Sequence, residues 1–178
     1  FKINWSGGPS FAYEYCVKKI CDKDIQELDL SNWCTAGLGG EIVNPAVINP
    51  FYNKFKSQGL KKTIFYPGYG LAEFTLTATF IRDNDFPNIL GKKDLSIIAQ
   101  DSEYPVDVKY EICSQGMMAA KHCMRIVNPA TQLAFEDNHV GEVWLHGPSV
   151  AQGYWGNELA TKETFHGYTA DGQGPYLR

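Results

Sequence analysis

The sequence predicts an α/β protein: the end of an α/β-layered subdomain over residues 1–86, then a small antiparallel β-rich, distorted barrel-like subdomain over residues 87–178. Three observations carry this. A helical stripe, an apolar strand, a second helix and another apolar strand follow one another in the first half, the order of an α/β layer. Residues 83–93 are polar and turn-rich, which places a boundary near residue 86. Beyond it, short runs alternate apolar and polar side chains with a period of two, the pattern of half-buried strands.

Each element has its own signal. Ser6-Gly7-Gly8-Pro9 reads as a turn. After it, Ala12, Cys16 and Ile20, flanked by Tyr13, Val17 and Cys21, form an apolar stripe at helical spacing. The segment Trp33 to Gly40 starts apolar and ends in glycines, as a strand running into a loop does. Asn44-Pro45 and Asn49-Pro50 each read as a cap followed by a first-turn proline. Proline breaks a continuous helix, so the main helix is expected from Pro50 to Gln58, with Phe51 and Phe55 buried and Gly59 ending it. Thr63 to Tyr66 is expected as a buried strand. Phe74, Leu76, Ala78 and Phe80 alternate with Thr75, Thr77 and Thr79, as a strand would. Val106, Val108, Tyr110 and Ile112 alternate with Asp107, Lys109 and Glu111 in the same way. Met124 to Val127 and Glu142 to His146 are two more strands, Asn128-Pro129 is a turn, and Asn157 caps a helix running through Phe165.

Composition narrows the function classes. Hydrophobic residues are 44% and charged residues 20% of the 178, ordinary for a globular domain and against disorder. A net charge of −4, with Lys18-Lys19, Lys61-Lys62 and Lys92-Lys93 as the adjacent basic pairs, excludes a nucleic-acid surface. The five cysteines (Cys16, Cys21, Cys34, Cys113 and Cys123) are odd in number with no Cys-x-x-Cys pair, which points to reduced thiols and a cytoplasmic setting. No apolar run reaches the length of a membrane span.

Two glycine-bearing segments carry candidate chemistry. Gly37-Leu38-Gly39-Gly40-Glu41 follows a strand; its glycines let a flat base lie against bare backbone, or serve only a tight turn. Tyr69-Gly70-Leu71-Ala72-Glu73 follows the apolar run Thr63–Tyr66. There Tyr69 can stack on adenine and Glu73 can hold Mg²⁺ on nucleotide phosphates; the plain alternative is a packed tyrosine and a surface carboxylate. No Gly-Lys-Ser or Gly-Lys-Thr phosphate loop occurs. His122, His139, His146 and His166 are scattered and read as structural or solvent-facing. Met117-Met118 reads as filler, and Trp144, Tyr154 and Trp155 read as packing anchors.

Taken together, the segments resemble the adenylate-forming superfamily, and most closely the fatty acyl-AMP ligases. The matching pieces are Ser6 to Tyr13, Leu28 to Trp33, the Gly39-Gly40-Glu41 turn, Tyr66 to Glu73, and Gly147-Pro148-Ser149-Val150-Ala151-Gln152-Gly153-Tyr154-Trp155. Ala72, where many superfamily members carry Thr, and the Gly147 to Trp155 wording resemble the fatty acyl-AMP ligases in particular. So does room for an insertion between Asp83 and Glu111, a feature that in those enzymes hampers transfer to coenzyme A. One departure stands out: Leu38-Gly39-Gly40-Glu41-Ile42 replaces the usual Asn-Gly-Ala-Glu-Pro.

The resemblance implies a two-step reaction. A fatty acid and ATP give acyl-AMP and pyrophosphate, and an acyl carrier protein then takes the acyl group. By position, Gly39, Gly40, Glu41, Tyr69, Gly70, Leu71 and Ala72 would frame ATP, and Gly7, Gly8 and Phe11 would border the acyl channel. Glu73 would be both catalytic and the Mg²⁺ ligand. Both subdomains would then be parts of one AMP-binding domain, the first being the end of its acyl- and adenine-binding portion. The family's phosphate loop, its ribose-binding Asp and its C-terminal Lys have no counterpart within residues 1–178, so the chain is expected to be an inactive piece of a larger enzyme. Two alternatives are an acyl-coenzyme A ligase and a noncatalytic adenylation-like domain, the latter favoured by Leu38 and Ile42.

Overall fold

A computed structural model of the chain describes residues 2–81, 87–91 and 111–178. The expected boundary segment 83–93 apart from residues 87–91, the strand residues before 111 and most of the expected insertion lie outside these. The described residues gather into two compact units. The first takes Phe1–Tyr69, Thr79–Gly91 and Glu111–Met117; the second takes Gly70–Ala78 and Met118–Arg178.

The first unit is an α/β layer. Its strands are β1 (Trp5–Gly8), β2 (Thr35–Leu38), β3 (Phe65–Gly70), β4 (Thr77–Phe80), the short β5 (Ile89–Leu90) and β6 (Ile112–Cys113), and β7 (Met117–Met118). The main sheet has the order β1-β2-β3-β4-β7, and β5 pairs with β6 apart from it. β1 runs parallel to β2, Trp5 opposite Thr35 and Gly8 opposite Leu38, and β2 runs parallel to β3, Leu38 opposite Pro67. Helices α1 (Ser10–Lys19), α2 (Asp22–Ile25) and α3 (Ile48–Phe55) accompany the sheet. Its core gathers Tyr13 from α1, Ile48, Phe51 and Phe55 from α3, and Ala36, Leu38 and Phe65 from the strands. Phe51 packs edge-on against Tyr13 at 5.1 Å between ring centroids.

Several elements differ from the sequence reading, each for a physical reason. Ser6–Pro9 is not a turn: Ser6 to Gly8 are strand, and Pro9 caps α1. A Cβ on Gly7 would sit 3.3 Å from the Gly37 oxygen, so the glycines serve close parallel pairing here rather than a bend. The main helix starts at Ile48 rather than Pro50. Pro50 falls in its first turn, where a missing N–H leaves no hydrogen bond broken. Of the two expected caps, Asn44 acts, its Oδ1 accepting from the Ala46 N–H at 3.0 Å. Gly59 ends the helical run at φ +85°, as expected. Strand β3 begins at Phe65, because Lys62–Ile64 form a 3₁₀ turn. In the alternating Phe74–Phe80 segment, Phe74 ends a 3₁₀ turn (Ala72–Phe74), Thr75 and Leu76 bend, and only Thr77–Phe80 are strand (β4); Ala78 and Thr79 are both buried, so its two-residue period is not a face.

The second unit is the antiparallel part. β8 (Cys123–Val127) pairs with β9 (Glu142–His146), Cys123 opposite His146 and Val127 opposite Glu142, and Leu177 bridges to Leu145. Trp144, Val127 and Tyr176 form its core. Asn128 makes the expected turn, its Oδ1 accepting from the Ala130 and Thr131 N–H groups. Asn157 caps α4 (Glu158–Phe165) through its Oδ1 and the Ala160 N–H at 3.1 Å. All five cysteines are free thiols. Among the described residues no helix is long and apolar enough to cross a membrane.

Candidate functional site

In the first unit the register sets Gly8 and Leu38, the last residues of β1 and β2, beside Pro67 in the middle of β3. Gly7 and Gly8 close β1, Gly39, Gly40 and Glu41 follow the end of β2, and Tyr69 is the last residue but one of β3. That is where open parallel sheets bind ligands, because the strands stop and the loops diverge there. The surface is mostly backbone. A Cβ on Gly39 would lie 3.0 Å from the Gly68 oxygen, and Gly40 sits at φ +78° with open space around it. A flat ring can approach main chain closely only where side chains are missing in this way.

Two long-range bonds hold this rim. The Phe11 N–H, in the first turn of α1 where no intrahelical acceptor exists, donates to Glu41 Oε1 at 3.2 Å. The Tyr13 hydroxyl donates to the Gly37 oxygen at 2.8 Å, and burial, with Cys16 adding to it, pushes that phenol well above the usual tyrosine range. The Phe11 ring is exposed. Leu38 is only 2% exposed, so its side chain belongs to the core and its position offers a ligand only backbone. A cavity of about 550 Å³, lined by Lys2, Ile3, Ser6, Leu28 and Trp33 among others, involves residues before and at the start of β1 and β2, so it is not this rim.

The second unit holds the rest of the Tyr69–Glu73 motif. A Cβ on Gly70 would overlap the Leu76 carbonyl oxygen, so this position requires glycine. Leu71 and Ala72 lead into the 3₁₀ turn that carries Glu73. Glu73 is half-buried, and its Oε1 accepts from the Tyr154 hydroxyl at 2.6 Å across 81 residues of sequence. That bond holds the Glu73 carboxyl below the usual carboxylate range and raises the Tyr154 phenol. The backbone joins the same two segments: the Ala151 N–H donates to the Glu73 carbonyl at 2.8 Å, and Thr75 Oγ1 donates to the Ser149 carbonyl at 2.8 Å. His122 Nδ1 lies 3.1 Å from the Ala120 carbonyl, which can only accept. Nε2 is then the acceptor of the Ser149 hydroxyl at 2.9 Å. The histidine is structural, as its isolation in the sequence suggests.

Tyr154 is thus more than a packing anchor. Its ring does pack, 5.3 Å from Phe165, but its hydroxyl serves Glu73. Trp155 is fully exposed and anchors nothing, whereas Trp144 is fully buried as expected. No local pattern marks a tyrosine as the partner of a glutamate 81 residues away; the joint presence of the two motifs was the one available signal.

Among the described residues no three His, Cys, Asp or Glu side chains group as a metal cage. The donor set suits Mg²⁺ all the same, since this ion keeps several waters and takes one or two carboxylates plus substrate phosphates. A single ionised, oriented carboxylate such as Glu73 fits that requirement.

Comparison with known proteins follows the same lines. The AMP-binding enzyme family matches residues 2–155. The medium-chain-fatty-acid–[acyl-carrier-protein] ligase JamA of Moorena producens is 33% identical over 185 residues, covering 100% of this chain and 31% of that protein. The putative fatty-acid–CoA ligase FadD21 of Mycobacterium tuberculosis is 32% identical over 163 residues, covering 91% of this chain and 28% of its own. The crystal structure of a fatty acyl-adenylate ligase from L. pneumophila, in complex with acyl adenylate and pyrophosphate, matches with a TM-score of 0.86 and 35% identity, over 99% of this chain and 31% of that one. The chain spans less than a third of the length of each.

Proposed function

This chain belongs to the AMP-binding enzyme family, and on that premise we propose that the full-length protein is a fatty acyl-AMP ligase. One carboxylate oxygen of a fatty acid attacks the α-phosphorus of ATP. The bond from that phosphorus to the bridging oxygen breaks, pyrophosphate leaves with the electron pair, and acyl-AMP remains. An acyl carrier protein thiol then attacks the acyl carbonyl and releases AMP. Residues 1–86 and 87–178 act as parts of one AMP-binding domain, and the protein works in the cytoplasm, a reading that its five free thiols support.

The observation that supports this reading is the parallel pairing of β1, β2 and β3, with Gly7 and Gly8 closing β1, Gly39, Gly40 and Glu41 following β2, and Tyr69 near the end of β3. Adenine lies on the backbone of Gly39 and Gly40 and stacks on Tyr69, while Glu41, tied to the Phe11 N–H, fixes the turn. Gly70, Leu71 and Ala72 act as further nucleotide-binding residues in this reading. Gly7, Gly8 and Phe11 border the acyl chain. Glu73 holds Mg²⁺, which when bound neutralises phosphate charge as pyrophosphate departs. Within residues 1–178 these contacts amount to a partial site, expected to hold ATP no tighter than about millimolar, about 4 kcal/mol, and to form no acyl-AMP.

A second reading, an acyl-coenzyme A ligase, has the name of the FadD21 relative in its favour. Mass spectrometry separates the two. The full-length protein is incubated with ATP, a fatty acid, coenzyme A and an acyl carrier protein. Acyl-AMP and acyl-carrier protein are the expected products, acyl-coenzyme A as the main product would favour the second reading, and no fatty-acid-dependent pyrophosphate release would leave a noncatalytic domain.

A further inference from the structure

We infer that Tyr154 is a positioning residue for the metal-binding carboxylate of Glu73, delivered by the loop ahead of α4. The inference rests on the reading of Glu73 as the Mg²⁺ ligand. A glutamate has three side-chain torsions, and a carboxylate exposed on a short turn would sample many directions. Here the Tyr154 hydroxyl pins Oε1 at 2.6 Å. A carboxylate has about four lone-pair positions on two oxygens, so one such bond orients the group and leaves others for a cation.

Tyr154 is itself held from three sides. Its N–H donates to Thr161 Oγ1 at 2.9 Å, its ring meets Phe165 edge-on at 5.3 Å, its hydroxyl meets the Thr164 side chain, and all three partners lie on α4, which Asn157 caps. The backbone bond from the Ala151 N–H to the Glu73 carbonyl fixes the distance between the two segments. A ligand group oriented through a hydrogen bond to a rigid helix is the usual way in which outer partners tune a metal ligand, and their loss typically weakens metal affinity ten- to a hundredfold. The hydroxyl also meets the Thr164 side chain on α4; Tyr154 is 39% exposed, and a phenylalanine there loses both hydroxyl contacts but keeps the one with Phe165.

Tyr154→Phe tests this in two ways. In the 178-residue chain, NMR three-bond couplings report the Glu73 χ1 rotamer, expected to be single in the wild type and averaged in the variant at an unchanged melting temperature. In the full-length protein, the Mg²⁺ concentration giving half-maximal fatty-acid-dependent ATP–pyrophosphate exchange is expected to rise about tenfold, with kcat at saturating Mg²⁺ close to wild type. Thr161→Val, which frees the Tyr154 backbone but keeps the phenol, should produce the same change in smaller measure. Glu73→Gln is the control for the underlying reading. If it raises the Mg²⁺ requirement while Tyr154→Phe leaves both the rotamer and that requirement unchanged, Tyr154 is not a positioning residue. If Glu73→Gln itself changes nothing, Glu73 is not the metal ligand and the inference falls with it.

Discussion

The two units build their candidate surfaces from different material. The first uses main chain: Gly7 and Gly8 closing β1, and Gly39 and Gly40 just past β2, kept bare because an added Cβ at Gly7 or Gly39 meets a carbonyl oxygen within 3.3 Å. The second uses one side chain, Glu73, aimed by another, Tyr154. A backbone surface tolerates changes of charge but not of volume; a carboxylate tolerates changes of volume but not of charge. The cores differ too. The first unit buries aromatic residues from helices and strands together, while the second gathers Val127 and Tyr176 around Trp144.

The largest expected effect breaks the comparison at the level of the cores. Trp144→Ala should cost about 3–5 kcal/mol and open the second unit. Phe55→Ala should cost a similar amount in the first unit, where more aromatic neighbours surround the cavity. Hydrogen exchange read by mass spectrometry assigns each loss to its unit; equal loss of protection in both units for either variant would show that they unfold together.

Next comes the charge. Glu73→Gln keeps shape and removes one negative charge, so ATP–pyrophosphate exchange by the full-length protein should fall about a hundredfold while the melting temperature holds. The matching volume test is Gly39→Ala, whose Cβ would lie 3.0 Å from the Gly68 oxygen. A shift of strand β2 or β3 should cost about 1–3 kcal/mol and raise the KM for ATP more than it lowers kcat. If Gly39→Ala behaves as wild type and Glu73→Gln alone matters, the nucleotide does not lie on the Gly39 backbone.

How far the sequence reveals these features follows from how local each one is. The caps at Asn44 and Asn157 and the C-terminal glycine Gly59 are visible because a side chain and its partner lie within three residues. β8, β9 and α3 come close to their expected bounds because each has a strong apolar pattern of its own. β1 was hidden because Ser-Gly-Gly carries turn propensity, and only pairing with Thr35–Leu38 makes it a strand. The Phe74–Phe80 alternation misled because a φ of +69° at Thr75 breaks the segment in two. Glu73 and Tyr69 could be proposed from their motif, but the Tyr154 bond spans 81 residues, beyond the reach of any periodicity.

The smallest effects concern pH, and each unit holds groups that should register in it. In the first, burial raises the Tyr13 phenol and pushes the Cys113 thiol up to about 11. Both groups are neutral in the folded state, so their contributions are complete below the unfolded values, about 10 for tyrosine and about 8.5 for cysteine, and are lost as the pH rises past them. In the second, hydrogen bonds from Tyr154 and Thr169 lower the Glu73 and Asp171 carboxyls. Those contributions are complete above the ordinary carboxylate values near 4 and are lost as the pH falls below them. Tyr13→Phe isolates the alkaline arm. It should cost about 1 kcal/mol at pH 7, because the Gly37 carbonyl loses its 2.8 Å donor. It should also flatten the decline in first-unit stability above about pH 10, leaving the part due to Cys113. Urea melts of wild type and variant from pH 7 to 11, with exchange protection assigned to each unit, give the answer. An alkaline slope unchanged by the substitution would mean that the Tyr13 phenol ionises as readily in the folded chain as in the unfolded one.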